Sequence, residues 1–261
     1  MQNGIIRSLA IQRRVVFALL MREIITRFGR HNIGVLWLIL EPMLFTLGVS
    51  ALWYIAKLHT YSNIPIVAFA ITGYSSVLVW RNSANRCSKA IEPNLALMYH
   101  RNVKVIDIFL SRIILELVGA TASITILTTF FICTGTMNWP VDVSLILGGW
   151  VLLCWFAIAL GFIVGSISER SDTFERTWHI FTYLMFPLSG AVFMAHWIPS
   201  SARELLLWIP MVHGVEMVRH GYFGQIVPTY EDPTYFCIVN LVLTLCGLSL
   251  VRDSSRRVQP Q

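Results

Sequence analysis

His213, Glu216 and His220 fall at i, i+3 and i+7, which puts two imidazoles and a carboxylate on one helical face. Those donor types could hold zinc. They could equally form a polar, hydrogen-bonded face that anchors its segment, and that is the reading adopted; no metal site is expected. Hydrolytic chemistry finds less support. No G-x-x-x-x-G-K-[ST] stretch occurs, so the chain has no P-loop through which to hydrolyse ATP. No G-x-S-x-G occurs either; Gly73-Tyr74-Ser75-Ser76 comes nearest and lacks the second glycine. An intramembrane acyl- or phosphotransferase would need a convergent His/Asp or Ser/His set, and none is visible.

Glu41 is the sharpest single residue. It stands inside a long apolar run, directly before Pro42. A charge at such a place costs about 2.5–3.5 kcal/mol on insertion scales, so it normally faces a bundle interior or water. Trp37, Glu41, Phe45 and Gly48 share one face at helical spacing. One reading makes this face the wall of a polar path with aromatic sides. The other has Glu41 pair with Arg27, Arg30 or another nearby cation and fix the helix. The two are compatible. Tyr74, Tyr183 and Phe186 also lie deep in apolar runs, and flat rings stack on the apolar faces of sugars without locking one position. Trp53, Tyr54, Trp139, Trp197 and Trp208 fall near run ends, where interfacial aromatic belts account for them.

These residues are carried by a chain of 261, with 56% hydrophobic and only 13% charged residues. Mean hydropathy is +0.65. A soluble domain has about 25% charged residues. The composition excludes a soluble enzyme, a nucleic-acid-binding domain and a disordered chain, and leaves a polytopic membrane protein. Cys87, Cys133, Cys154, Cys237 and Cys246 are odd in number and form no C-x-x-C, which argues against a disulfide framework or thiolate metal site. Arg13-Arg14 ahead of residues 15–21 looks briefly like a signal peptide. Arg22-Glu23 end that apolar run, so the first span is expected to be an uncleaved signal-anchor.

Six apolar runs approach the length that crosses hydrocarbon as helix: 33–56, 65–80, 108–134, 143–167, 179–196 and 235–251. The net charge of +6 then reads as topology. Arg7, Arg13, Arg14, Arg22, Arg27 and Arg30 precede the first run. Arg81, Arg86, Lys89, Arg101, Lys104 and Arg112 surround the second connection. Arg170 and Arg176 lie in the fourth, and Arg252, Arg256 and Arg257 in the tail. Only Lys57, Arg203 and Arg219 fall on the other side. The positive-inside rule puts both termini in the cytoplasm, which requires an even number of spans.

The expected architecture is therefore an all-α polytopic membrane protein of six transmembrane helices. Residues 1–32 form a cytoplasmic segment in which 11–30 read as an interfacial amphipathic helix, with Ile11, Val15, Leu19, Ile24 and Phe28 apolar and Arg14, Arg22 and Arg27 basic. Residues 33–251 are the membrane domain and 252–261 a cytoplasmic tail. Segment 86–104 contains a short helix begun by Glu92-Pro93-Asn94 and continued by Leu95, Leu97, Met98 and Tyr99. Apolar residues there suit docking to a soluble partner; the alternative is a helix lying on its own bundle. In 197–226, residues 200–209 and 211–223 are too short to span and read as a periplasmic re-entrant hairpin.

Arg22-Glu23-Ile24-Ile25-Thr26-Arg27-Phe28-Gly29 followed by Gly34-Val35-Leu36-Trp37-Leu38-Ile39-Leu40-Glu41-Pro42 resembles the opening signature of capsular polysaccharide export permeases. These are membrane subunits of ABC transporters of the second exporter type. Arg101-Asn102-Val103-Lys104-Val105-Ile106-Asp107, Phe186-Pro187-Leu188-Ser189-Gly190 and Trp208-Ile209-Pro210-Met211-Val212-His213-Gly214-Val215-Glu216 match in the same order. The chain departs from the family's Arg-Pro-Val-Lys-Pro at Asn102 and Val105, and from its Asn-Pro at Ile209-Pro210.

The resemblance implies a homodimer in the bacterial inner membrane, with two cytoplasmic ABC ATPase subunits docked on 92–99. Glu92, Asn94, Leu95, Leu97, Met98 and Tyr99 would make that contact. ATP and magnesium would bind the ATPase, with no cofactor in this chain. A periplasmic co-polymerase and an outer-membrane exporter would complete the route for a lipid-linked anionic polysaccharide. Arg13, Arg14, Arg81, Arg86 and Lys89 would attract its anionic end, and Trp37, Glu41, Phe45, Tyr74, Tyr183 and Phe186 would line its path. No nucleic-acid partner is expected. Exporters of O-antigen, teichoic acid or small hydrophobic compounds are the alternative.

Overall fold

The computed structural model describes residues 2–28, 33–55, 64–100 and 103–258. Gly29, Arg30, Lys57, Arg101 and Asn102, used above for charge or motif, lie outside the described residues. Every regular element among the described residues is helical. The chain runs through α1 (Gln2–Phe28), α2 (Ile33–Ile55) and α3 (Ile66–Cys87). A 3-10 turn (Glu92–Asn94) and the short α4 (Leu95–His100) follow. Then come α5 (Val105–Cys133), α6 (Val143–Ser168), α7 (Asp172–Phe186), α8 (Ser200–Leu206), α9 (Pro210–Phe223) and α10 (Pro233–Val258).

Local chemistry sets these ends. Asp142 caps α6 by accepting from the Ser144 and Leu145 amides, and Ser171 caps α7 by accepting from Phe174. Pro210 opens α9 at its first position, where a missing N–H costs nothing.

Four helical stretches are long and apolar enough to cross a membrane: Leu36–Ile55, Val105–Cys133, Val143–Ser168 and Pro233–Arg257. The six expected runs are thus not all of one kind. α3 extends beyond the expected end at 80 as far as Cys87, and its last turns carry Arg81, Asn82, Asn85 and Arg86. It tolerates polar residues because it is the central helix, packed by α2, α5, α6 and α9. The expected run 179–196 is not one helix. α7 stops at Phe186, a π turn covers Pro187–Ala191, and Gly190 takes a φ of 89°. Pro187 has no N–H to continue the ladder, and the left-handed backbone at Gly190 suits glycine alone.

The core falls into several clusters along the bundle. Near α4 it comprises Leu19, Cys87, Ile91, Val105, Phe109, Ile113 and Phe162. The middle holds Val77, Trp80, Trp150, Leu153, Phe156, Val215 and Phe236. The α8 end holds Phe69, Leu127, Met194, Tyr222 and Phe223. α9 lies largely buried against α6, so it is part of this core rather than a surface flap. Gly221 permits that approach: a Cβ there would sit 2.7 Å from the Asp142 carbonyl oxygen.

Candidate functional site

Three aromatic residues from three elements, Phe45, Tyr74 and Phe186, meet one another. Phe45 of α2 lies 6.0 Å from the Tyr74 ring and Phe186, the last residue of α7, lies 5.4 Å from it. Phe45 and Phe186 meet edge-on at 5.9 Å. Toward the α8 end, Trp53 meets Tyr74 at 5.8 Å and stacks on Phe69 at 5.6 Å. Trp197 stacks on Phe69 at 5.1 Å. Toward the α4 end, the Arg81 guanidinium lies 4.8 Å over the Tyr183 ring and 5.4 Å over that of Phe186. The result is a ladder of rings closed by a cation at one end.

The helix breaks directly after Phe186, and a buried cation holds that break. Arg219 of α9 is fully buried. Its guanidinium donates to the carbonyls of Gly190 at 2.6 Å, Phe193 at 2.5 Å and Ala191 at 3.0 Å. It also lies 4.0 Å over the Phe69 ring. These carbonyls follow the end of α7 and would otherwise lack partners. Gly73 of α3 leaves room for the arrangement, since a Cβ there would sit 2.6 Å from the Ala191 oxygen.

Of the six residues expected on the path, Phe45, Tyr74 and Phe186 are thus in mutual contact and Tyr183 joins them through Arg81. Trp37 is 50% exposed on α2 and touches no other ring among the described residues. Glu41 turns to Arg86 at 3.5 Å. Trp53 and Trp197, expected near run ends, both stack against Phe69. Tyr54, Trp139 and Trp208 do remain exposed. Phe69 was missed altogether, and its place five residues before Tyr74 in one apolar run gave little signal.

The cations divide by environment. Arg13 and Arg14 are exposed on α1. Arg86 lies 3.3 Å from Glu116, whose other partner is Arg27 at 2.6 Å. With Glu41 this network ties α1, α2, α3 and α5. It satisfies the pairing expected for Glu41, with Arg86 as the cation. Lys89 pairs with Asp172 and holds that carboxyl below its usual range, chiefly through the hydrogen bond.

The segment expected to dock a soluble partner is anchored on its inward side. Asn94 is buried, accepts from Arg22 at 2.5 Å and donates to the Ala90 carbonyl at 2.8 Å. Leu95, Leu97 and Met98 are half-buried against the cluster that includes Leu19 and Val15. The apolar surface left outward is smaller than the sequence suggested: Pro93, Ala96 and the 62%-exposed Tyr99, beside exposed Glu92.

The His213, Glu216 and His220 face disperses. His213 bonds the Leu207 carbonyl through Nε2 at 2.8 Å and accepts from the Asp232 amide at Nδ1, 2.9 Å. Both ring nitrogens are used, which fixes a neutral tautomer with the proton on Nε2. Glu216 accepts from the Ala195 amide at 3.3 Å, and His220 contacts Glu231. These three side chains staple α9 to its flanking loops.

A helical bundle with four helices long and apolar enough to cross a membrane, cations gathered near one end and a ladder of rings has the make-up of a polytopic membrane protein. Residues 14–223 match the family described as ABC-2 type transporter, and the chain belongs to that family. It is 48% identical over 97% of its length, and 96% of the relative's, to the capsule polysaccharide export inner-membrane protein CtrC of Neisseria meningitidis serogroup B. It is 43% identical to BexB of Haemophilus influenzae, which bears the same description, over 98% of this chain and 96% of the relative. It is 28% identical to the polysialic acid transport protein KpsM of Escherichia coli, over 93% of this chain and 94% of the relative.

Proposed function

We propose that the chain is the permease subunit of an ABC exporter that moves lipid-linked capsular polysaccharide across the inner membrane, with ATP hydrolysed by a separate subunit. The observation that carries this reading is the end-to-end likeness to CtrC, matched by the absence of a P-loop here. The accessible rings of the ladder support it physically. Phe45, Phe186 and Tyr183, backed by the buried Tyr74, offer sugars a series of weak, similar contacts, each about 0.5–1.5 kcal/mol if they match aromatic pairs, and a chain held that way can advance without one deep trap.

In this reading six elements cross the membrane with both termini in the cytoplasm. α3 and α7 join the four long apolar helices. At 1.5 Å per residue, the 22 residues of α3 cover about 33 Å. Burial spares them contact with lipid. α8 and α9 are the re-entrant hairpin. Two copies enclose the path through α2 and α7, which leave Phe45, Ile180, Phe181, Tyr183 and Leu184 exposed in a single chain. Arg81, with Arg86 beside it and Arg13 and Arg14 on α1, attracts the anionic end of the cargo; each cation near such a surface contributes about 1 kcal/mol. A periplasmic co-polymerase and an outer-membrane exporter receive the chain beyond.

Replacing Phe45 and Phe186 together by alanine will cut capsule export about fivefold or more, since two stackings of this size sum to about 1–3 kcal/mol. Assembly with the ATPase will persist. Capsule staining and pull-down on the same cells read both outcomes; normal export by the double variant refutes the ring ladder as path. A companion assay of small-molecule extrusion separates glycan from hydrophobic cargo.

Docking has its own test. Tyr99→Asp puts a charge on the outward side of α4 without touching the packed Leu97 and Met98. It will abolish co-purification of the ATPase while leaving the permease folded. Undiminished co-purification would place docking elsewhere.

A further inference from the structure

The turn that leads into the docking segment is held from outside itself. Lys89 has a φ of 49°, a backbone state that residues with a Cβ adopt rarely. Three residues of the α6–α7 connection secure it. The Lys89 amide donates to Ser168 Oγ at 3.1 Å, and the Ile91 amide donates to Glu169 Oε1 at 2.7 Å. The Lys89 ammonium pairs with Asp172, the first residue of α7. The connection is itself braced, because Arg170 reaches the Leu250 carbonyl at 3.2 Å and Asp253 at 3.0 Å on α10. Farther along α7, Trp178 donates to Asn85 of α3 at 2.8 Å. α7 then delivers Tyr183 and Phe186 to the ring ladder.

We propose that the α6–α7 connection is the transmission between ATPase docking and the path: Ser168, Glu169 and Asp172 grip the turn at Lys89–Ile91 and carry its displacement into α7. Glu169 is the central positioning residue, since its carboxylate spans from the connection to the backbone of the moving segment. The inference rests on the reading of 92–99 as the docking segment.

The Lys89–Asp172 pair alone would be a soft link, because it is solvent-exposed and screened by salt. The two bonds to backbone amides make the grip directional. The turn at 88–91 cannot shift without displacing residues 168–172 or breaking those bonds. α1 holds the same segment through Arg22 and Asn94, so a pull on α4 is shared between α1 and α7. α3 runs directly from the turn to Tyr74; of the two braces, α7 is the one that carries rings of the ladder.

The test uses the whole permease–ATPase complex in lipid nanodiscs, with Leu184→Cys on the face of α7 that lines the path and maleimide labelling read at that position by mass spectrometry. Magnesium-ATP with vanadate is expected to change the labelling rate about tenfold in the parent complex. Glu169→Ala will lose that response while the complex remains assembled and still hydrolyses ATP. Glu169→Gln keeps an acceptor oxygen for the Ile91 amide and will restore it. A parent with no nucleotide response, or a Glu169→Ala complex that responds like the parent, overturns the transmission. Failure of the parent chain to bind any ATPase overturns the functional reading itself, and this inference with it.

Discussion

Arg219→Met will destabilise the protein by about 3–5 kcal/mol, the range for removing one partner from a buried charged arrangement. Methionine fills much of the same volume but supplies no donors. The carbonyls of Gly190, Ala191 and Phe193 would then be buried without partners, each at about 1–3 kcal/mol before relaxation. Glu216, one turn earlier on α9 and almost fully buried, would lose its nearby positive charge. Lysine keeps the charge but cannot reproduce a planar fork over the Phe69 ring, so Arg219→Lys will recover only part of the loss. Thermal unfolding in detergent reads the effect. A methionine variant within about 1 kcal/mol of the parent would show that the break after α7 is held by packing instead.

The second large effect concerns Glu116. Its side chain is 8% exposed and meets both Arg27 and Arg86. Glu116→Ala removes the carboxylate that these two cations share, and the expected loss is again about 3–5 kcal/mol. Glu41→Ala is the control. Its pair with Arg86 is 3.5 Å long and both side chains are nearly half exposed, so its removal will cost under about 1 kcal/mol. The contrast also resolves the double reading of Glu41. If Glu41→Ala leaves thermal unfolding unchanged but lowers export, the carboxylate acts on the cargo. If both variants destabilise equally, Glu41 is a structural member of the network.

The helical class and the main run boundaries were legible because hydropathy is a sum over many residues and survives local exceptions. α2, α5, α6 and α10 follow from it directly. α3 was legible only as a shortened run, since a helix surrounded by protein may carry Arg81 and Asn85 where a lipid-facing one could not. The break at Pro187 and Gly190 was visible as two residue types, but not its consequence. That depends on Arg219, twenty-nine residues from Gly190, which the charge count had treated as a minority cation on the far side. Long-range partners of this kind leave no periodic trace. The same limit explains Phe69, Trp53 and Trp197: each was a ring in or beside an apolar run, and their stacking required three separate elements. For segment 92–99, composition showed apolar residues but not which side they faced, and Leu95, Leu97 and Met98 turn half-buried inward.

Arg170 finds its partners on α10, eighty residues and more downstream. During synthesis the ribosome releases the α6–α7 connection well before those partners exist. Until they emerge, the foundation under the Lys89 turn is incomplete. A chain that lacks α10 therefore leaves Arg170 without these partners and the turn at Lys89 resting on an unbraced connection.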